Sequence, residues 1–345
     1  MVVTKRVLLT ALLSLIYCEG LIAKVTNKVK IIYNTLDQKG SGGTQIIDNS
    51  GDQDLVVSEP MIFAQVGIDD NFSLNAMGSN DSWTSASDKA FDDATSASLV
   101  KSQERKSYSL GFNFDNKVSG AYLNFGSSEE DDYESKSISI GGLKTFAEDN
   151  FSLGLNYSQY DDQTRLWDVL ADEEKSFEDK KVKSYSIDMS QILTRTDLML
   201  FGYNYITQEG TLEGSLNTID LAGIRQEEIL PKAKYRNAYY IKFIHSLKED
   251  QALHFSYRLY DDSWNIKANT FELNWLKSYF DSDAFIEIFY RYYSQTELSY
   301  YKKSFSNEKK YMTSDADYQK FESHQVGFFY NKDFEIMDLD SNFVL

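Results

Sequence analysis

The feature that most constrains this chain is a series of segments in which apolar and polar residues alternate. In one of them, Tyr108, Leu110 and Phe112 alternate with Ser109 and Gly111. The same period recurs over residues 151–158, 184–189, 239–244, 253–260, 270–275 and 285–292. Successive side chains of a β-strand point to opposite faces, so this period predicts strands. The chain has only 2 prolines, which fits because proline removes a hydrogen bond from a strand ladder.

The connections between these segments also alternate, short with long. The short polar ones are Asp69–Asn71, Asp115–Lys117, Glu148–Asn150, Thr196–Asp197, Lys248–Asp250 and Asp281–Ser282. The predicted long ones are 37–54, 79–105, 127–134, 160–181, 208–234 and 296–320, with one shorter connection at 261–265. In an up-and-down meander, all the short turns fall on one rim and all the long loops on the other, as in outer-membrane barrels.

This pattern predicts an all-β fold, an antiparallel up-and-down transmembrane β-barrel of about fourteen strands, within a range of about 12–16. The long loops would be external and the short turns periplasmic. We expect the barrel to occupy residues 24–333. A further short turn is predicted at Asn331–Asp333, so residues 334–345 are expected to be a C-terminal tail or an incomplete strand.

The N-terminus has the pattern of a secretory signal peptide over residues 1–23. Lys5 and Arg6 precede an apolar run, Val7–Tyr17, that is too short to span a bilayer as a helix. Small residues at Gly20 and Ala23 offer two cleavage points, and the sequence does not choose between them. We therefore expect the mature protein to be exported.

Charge and cysteine content exclude several classes of function. The net charge of −18 repels phosphate, so no nucleic-acid partner is expected. The chain has 1 cysteine, Cys18, which lies inside the predicted signal peptide. Without it, the mature chain can form no disulfide and no zinc–cysteine site. No run of about 20 apolar residues is present, which excludes a bundle of transmembrane helices.

The alternation alone fits both a membrane barrel and a soluble sheet, because each has one apolar and one polar face. Segments long enough for a tilted span, and aromatic residues near strand ends, favour the membrane. We expect an aromatic girdle near the long-loop rim, formed by Tyr157, Tyr203, Tyr257, Trp264, Tyr290 and Tyr292. A secreted soluble β-protein stays open as an alternative.

Charged residues on the predicted polar face are the best functional candidates. A two-residue turn at Asp281–Ser282 places Glu272 opposite Arg291 on one face of the sheet. The remaining predicted lumen-lining residues are Lys242, Arg258 and Glu287. They could filter solutes by charge, or they could pair across strands and stiffen the wall.

No catalytic, cofactor or metal site is predicted. His245 and His254 fall on opposite faces of neighbouring strands, so they cannot share an ion. Serines and acids are plentiful, but no motif distinguishes any of them, so we expect no enzyme and no cofactor. Acidic loop runs such as Glu129–Asp132 are typical of a solvated rim, and could also bridge through divalent cations to lipopolysaccharide phosphates.

The C-terminal third resembles an uncharacterised bacterial outer-membrane family, domain-of-unknown-function family 3570. The residues that carry the resemblance are Leu230–Pro231, Arg236–Ala238, the run Leu253–Trp264 with its Asp-Asp-Ser-Trp end, and Tyr290–Gln295. A weaker echo, Asp81-Ser82-Trp83, follows the predicted third strand. The resemblance implies a transmembrane β-barrel and brings no agreed substrate or catalytic residues.

Together these features predict an integral protein of a Gram-negative outer membrane, porin-like, serving as a passive or partner-gated conduit. The alternative for the same fold is a closed barrel that acts as a scaffold or docking platform. Expected partners are outer-membrane lipid and lipopolysaccharide, the barrel-insertion machinery and a periplasmic partner protein.

Overall fold

A computed structural model describes residues 27–40, 53–84, 102–168, 171, 173–214, 217–279, 284–336 and 339–344. The predicted signal peptide and the turn at Asp281–Ser282 lie outside the described residues. In this part of the chain, none of the helices has the length and apolar character needed to cross a membrane.

The structure is built almost entirely of long strands, as the period-two pattern predicts. They are β1 Lys28–Gly40, β2 Gln53–Gly67, β3 Phe72–Thr84, β4 Ser102–Asp115, β5 Ser119–Glu129, β6 Tyr133–Phe146, β7 Phe151–Asp168, β8 Glu173–Ile192, β9 Asp197–Gly210, β10 Thr218–Leu221, β11 Ile224–Glu227, β12 Ala233–Lys248, β13 Gln251–Asp262, β14 Lys267–Tyr279, β15 Ala284–Gln295, β16 Phe321–Ile336 and β17 Leu339–Val344. A 3-10 turn covers Ala316–Tyr318.

The strands form one antiparallel up-and-down sheet in chain order, interrupted only by the separate hairpin β10–β11. Counting β1–β9 and β12–β16, fourteen described strands lead up to the end of β16, so the predicted fold class and strand number are confirmed. β17 adds a fifteenth strand beside β16. Among the described residues, no ladder joins β1 to β16 or β17.

The predicted short turn at Asn331–Asp333 is wrong. β16 runs through these residues to Ile336 because Asn331 and Lys332 continue the ladder with Phe285 and Ala284 of β15. β17 pairs antiparallel with the end of β16, with Leu339 opposite Ile336.

The short turns on one rim are held by side chains that accept backbone hydrogen bonds. Asp69 Oδ1 accepts from the backbone N–H of Asn71 and of Phe72, both at 2.8 Å. Asp115 Oδ1 accepts from Lys117 N–H at 2.8 Å, and Lys117 adopts a positive φ of 74°. Aspartate and asparagine favour such turns because they bond to the backbone two residues on.

On the opposite rim, the prediction of a long loop over 160–181 is wrong. β7 continues to Asp168 and β8 begins at Glu173, so the two strands form an extended hairpin. Opposite charges face each other in this extension: Asp161 pairs with Lys181, Nζ to Oδ1 3.1 Å, and Asp162 lies opposite Lys180. Complementary cross-strand pairs stabilise a polar ladder that the apolar pattern does not reveal. The predicted loop over 127–134 is likewise reduced to residues 130–132.

The two faces of the sheet differ in chemistry and exposure. On the apolar face, Phe112, Ile140 and Leu155 are 46%, 54% and 54% exposed, whereas their neighbours Gly111 and Gly154 on the polar face are buried. A water-soluble sheet buries its apolar face instead.

Side chains on the polar face form hydrogen bonds across neighbouring strands. The Tyr122 hydroxyl on β5 passes beside Gly141 of β6 and donates to Asn156 Oδ1 on β7 at 2.9 Å. Asn156 Nδ2 in turn donates to Ser186 Oγ on β8 at 3.0 Å. Side chains that span two ladders in this way cover the polar face with a hydrogen-bonded network.

Among the described residues, the two clusters of buried hydrophobic side chains lie outside the sheet, in a unit that we term the loop cap: residues 211–214, 217–232, 263–266 and 296–320. Its two cores are formed by Leu230, Trp264, Ile266, Leu298 and Tyr301, and by Ile219, Phe305 and Met312. Isolated bridges join Leu221 to Phe305 and Ile229 to Met312, so the β10–β11 hairpin and the 296–320 connection fold together.

Candidate binding site beneath the loop cap

The predicted register of the charged residues is confirmed. Glu272 of β14 lies opposite Arg291 of β15, and the same row continues through Ser256 to Lys242 of β12. Side chains directly opposite one another share a face, so these residues form one row on the polar face.

The structure gives little support to the wall-pairing interpretation of these charges. Within the described chain, Glu272 and Arg291 do not form an ion pair. Glu287 accepts a hydrogen bond from Asn274 Nδ2. Arg258 lies between Tyr240 and Thr270 on the neighbouring strands. The predicted lining of a pore by these five residues stays a prediction.

The predicted girdle tyrosines occur in rows of rings on the apolar side of the sheet. Tyr157 packs against Tyr185 at 5.1 Å between ring centroids, and Tyr203 packs against Tyr239 at 4.9 Å. The Tyr257 hydroxyl donates to Asn269 Oδ1 at 2.8 Å. Tyr290 and Tyr292 both contact the ring of His324. Rings with one polar tip suit a membrane–water boundary.

The prediction that Trp264 belongs to this girdle is wrong. Its side chain is 2% exposed and lies in the core of the loop cap, against Tyr300 and Tyr318. Its indole N–H donates to the carbonyl of Ala233 at 2.9 Å. The alternation ends at Asp262, so Trp264 stands in a turn whose direction the strand period does not fix.

Asp262 organises this turn. Its Oδ1 accepts from the backbone N–H of Trp264 and Ile266, at 2.9 and 3.0 Å. Its Oδ2 accepts from the Tyr260 hydroxyl at 2.8 Å and lies 3.2 Å from Lys234 Nζ. All four contacts are satisfied inside the protein, so the Asp-Asp-Ser-Trp motif has a structural role here.

A related arrangement occurs at Asp81-Ser82-Trp83. Asp81 is buried and accepts from Arg105 Nε and a terminal guanidinium nitrogen, at 2.8 and 2.5 Å. The guanidinium carbon lies 5.9 Å from the centroid of Trp83. In both copies, the aspartate positions a cation from the adjacent strand, which then packs on the tryptophan.

A cavity of about 290 Å³ lies where the loop cap folds over the polar face of β12–β15. Its cationic lining side chains are Lys234, Arg236 and Arg258, and Asp317 is the acidic one. Three tyrosines, Tyr260, Tyr293 and Tyr318, add aromatic walls.

The cap is fastened to the sheet at this cavity. Gln295 Nε2 donates to the carbonyls of Asp317 and Gln319, at 2.8 and 2.7 Å, and its Oε1 accepts from the Tyr293 hydroxyl at 2.5 Å. Lys234 Nζ lies 4.2 Å from the ring centroid of Trp264 and 5.1 Å from that of Tyr318. The cavity therefore has walls from the sheet and a roof from the cap.

Sequence reasoning found Arg258 but missed the other cavity residues. Arg236 could have been selected as a candidate from the sequence, because it stands in the Arg236-Asn237-Ala238 segment that carries the family resemblance. Tyr318 gave none, since it lies in a connection without any period.

Two buried acids lie deeper in the cap. Glu228 Oε1 accepts from Gly214 N–H at 2.7 Å, and Asp315 Oδ2 accepts from Asn217 Nδ2 at 3.1 Å. Burial raises the pKa of the Glu228 carboxyl to about 7, and the charge of Asp315 contributes to this rise. Burial also raises the pKa of Asp315. Over the described ranges, no group of three or more His, Cys, Asp or Glu could hold a metal ion.

Comparison with known proteins gives a family but no activity. The model of the family described as "Protein of unknown function (DUF3570)" matches residues 101–340, so the resemblance seen in the sequence is confirmed. No curated protein sequence matches the chain.

Solved structures similar to this chain are outer-membrane proteins. A loop L8 deletion mutant of OmpT from Vibrio cholerae is 9% identical, with a TM-score of 0.44, covering 79% of this chain and 95% of that one. The siderophore receptor PirA from Acinetobacter baumannii is 11% identical, with a TM-score of 0.49, covering 93% of this chain. This chain spans 52% of that receptor. At such TM-scores, nothing about the site is taken from either protein.

Proposed function

This chain belongs to the DUF3570 family, whose description states no activity, and we propose from its geometry that it is an integral outer-membrane β-barrel working as a passive or partner-gated conduit. The observation that carries the proposal is the exposure of the apolar face. Ile140 and Leu155 are each 54% exposed within long strands, while Gly154 on the polar face is buried. A hydrocarbon surrounding would stabilise such a surface.

The conduit role rests on the charges of the polar face. Glu272 and Arg291 share a row without pairing, in the part of the chain described, so both charges are available to passing ions. Unpaired charges in a low-dielectric wall focus the field and select by sign.

A second role, as a closed scaffold or docking platform, is favoured by the loop cap. The cap has its own hydrophobic cores and covers part of the polar face at the long-loop rim. A packed, ordered surface of this kind suits a partner protein. The proposed partners are outer-membrane lipid, lipopolysaccharide, the barrel-insertion machinery and a periplasmic protein.

Membrane residence and conductance are tested separately. We expect the protein in the outer-membrane fraction, with different electrophoretic mobility before and after boiling. In a planar bilayer, we expect discrete conductance steps. A protein that inserts and never conducts would contradict the conduit role and support the scaffold role. A protein recovered in the soluble fraction would exclude both roles.

The charge row is tested by Glu272→Ala and Arg291→Ala. The first should shift ion selectivity toward anions and the second toward cations, because each removes one sign of fixed charge. Glu104→Gln is the matched control, since Glu104 is exposed on the apolar side near the long-loop rim, beside Lys106. Equal selectivity in all three variants would show that the row does not line the path.

A further inference from the structure

We infer that the cavity beneath the loop cap is a binding site for a small solute with an oxyanion head group, a carboxylate or a phosphate. This inference rests on the proposed function, because it needs an enclosed polar face that solutes reach. It adds the chemical class of the solute and the residues that hold it.

Charge is the first argument. Lys234 is balanced by its ion pair with Asp262, so Arg236 and Arg258 against the acid Asp317 leave the cavity a formal charge of 2 − 1 = +1. The whole chain carries −18. A positive cavity attracts anions, while the negative charge of the rest of the protein repels them elsewhere.

The second argument is that the arginines have spare donors. Arg236 lies opposite Asp262 in the ladder, but both oxygens of Asp262 are occupied by Lys234, Tyr260, Trp264 and Ile266. The Nε atom of Arg236 is buried and has no hydrogen-bond partner within the described structure. A buried donor without a partner is costly, and an oxyanion would satisfy it.

Arg258 supplies the second half of the site. It is exposed on the polar face two residues before Tyr260, and the ion pairs of the described residues do not include it. Two guanidinium groups with free N–H donors match the planar geometry of carboxylate and phosphate.

Size and walls limit the solute. A volume of about 290 Å³ is at the lower end for ligand pockets, which indicates a small molecule. Tyr260, Tyr293 and Tyr318 present rings to the cavity, so a flat body on the anion would pack well.

The test is isothermal titration calorimetry on the full-length protein folded in detergent, with phenyl phosphate, benzoate and the neutral analogue benzamide. We expect both anions to bind and benzamide not to bind. Arg236→Gln and Arg258→Gln should each weaken anion binding about tenfold or more. Arg258→Lys, which keeps the charge without the planar fork, should fall between. Arg225→Gln, on the β10–β11 hairpin, is the matched control and should bind like the parent.

Folding of each variant is checked by heat-dependent electrophoretic mobility. If folded Arg236→Gln and Arg258→Gln bind phenyl phosphate like the parent, or if benzamide binds equally well, the inference is overturned. Competition with purified lipopolysaccharide distinguishes a free solute from a lipid head group as the natural ligand. If lipopolysaccharide displaces phenyl phosphate, the ligand is a lipid head group, and the inference of a free solute is overturned. Conductance without anion binding would reject the anion site and support the conduit role. Anion binding without conductance would reject the conduit role and support the anion site.

Discussion

Lys234 and Asp262 form a buried ion pair at the junction of sheet and cap, with Nζ 3.2 Å from Oδ2 and side-chain exposures of 4% and 0%. Lys234 comes from β12 and Asp262 ends β13, so the pair fixes where the strand pattern stops and the cap begins. The ring of Trp264 closes over the ammonium group.

Lys234→Met should open the cap, because it leaves the Asp262 carboxylate buried without its cation. Breaking one side of a buried pair costs about 3–5 kcal/mol. Hydrogen–deuterium exchange should show lost protection over 217–232 and 296–320. The control is Lys320→Met, which removes an exposed pair with Glu322 and should cost less than about 1 kcal/mol. Equal protection in both variants would contradict the prediction.

The cap should be more stable at pH 5 than at pH 8, because Glu228 binds its proton more tightly when folded. Its pKa is raised from 4.5 to about 7, so this stabilisation is complete below about pH 4.5 and is lost as the pH rises through 7. Burial also raises the pKa of the neighbouring Asp315, which therefore acts in the same direction. The loss amounts to about 3 kcal/mol at most.

Glu228→Gln should remove most of this pH dependence in the exchange rates of the cap. Glu308→Gln, in an exposed part of the 296–320 connection of the cap, should keep it. A cap whose exchange follows pH identically in both variants would rule out Glu228 as the titrating group.

We expect position 141 to require glycine, because side chains of the polar face fill the space beside it. A Cβ there would collide with the Asn156 amide oxygen and the Tyr122 ring, whose hydrogen bond crosses this position. We expect Gly141→Ala to destabilise the sheet by about 1–3 kcal/mol in urea unfolding from lipid vesicles. At Gly154, a methyl group would have its nearest neighbours at 3.6–3.7 Å, which is ordinary van der Waals contact, so Gly154→Ala should be tolerated. Equal losses of unfolding free energy in the two variants would show that the contacts around Gly141 do not require glycine.

A charge placed on the apolar face tests whether this face is surrounded by lipid or by water. Ile140→Lys should cost about 2–4 kcal/mol in vesicles, because a lysine would enter hydrocarbon. Ser139→Lys, one residue away on the polar face opposite Ser158, should cost far less. A sheet with its apolar face in water would give the opposite ranking or no difference, which the same urea titration detects.

The sequence by itself determined the sheet. The period of two and the alternating connections predicted an antiparallel meander, and the register of Glu272 opposite Arg291 followed from the length of one turn. These features are local, because a strand's faces are fixed by its own side chains and a tight turn fixes its partner.

Only the tertiary structure decided the cap and the cavity. Trp264 and Tyr318 lie in connections that have no period, and the contacts that bury them come from residues far apart in the chain. The extension of β7 and β8 depends on charges of opposite sign meeting across two strands, such as Asp161 and Lys181. Such pairings form only when separate segments meet in space, so the apolar–polar alternation of one segment does not predict them.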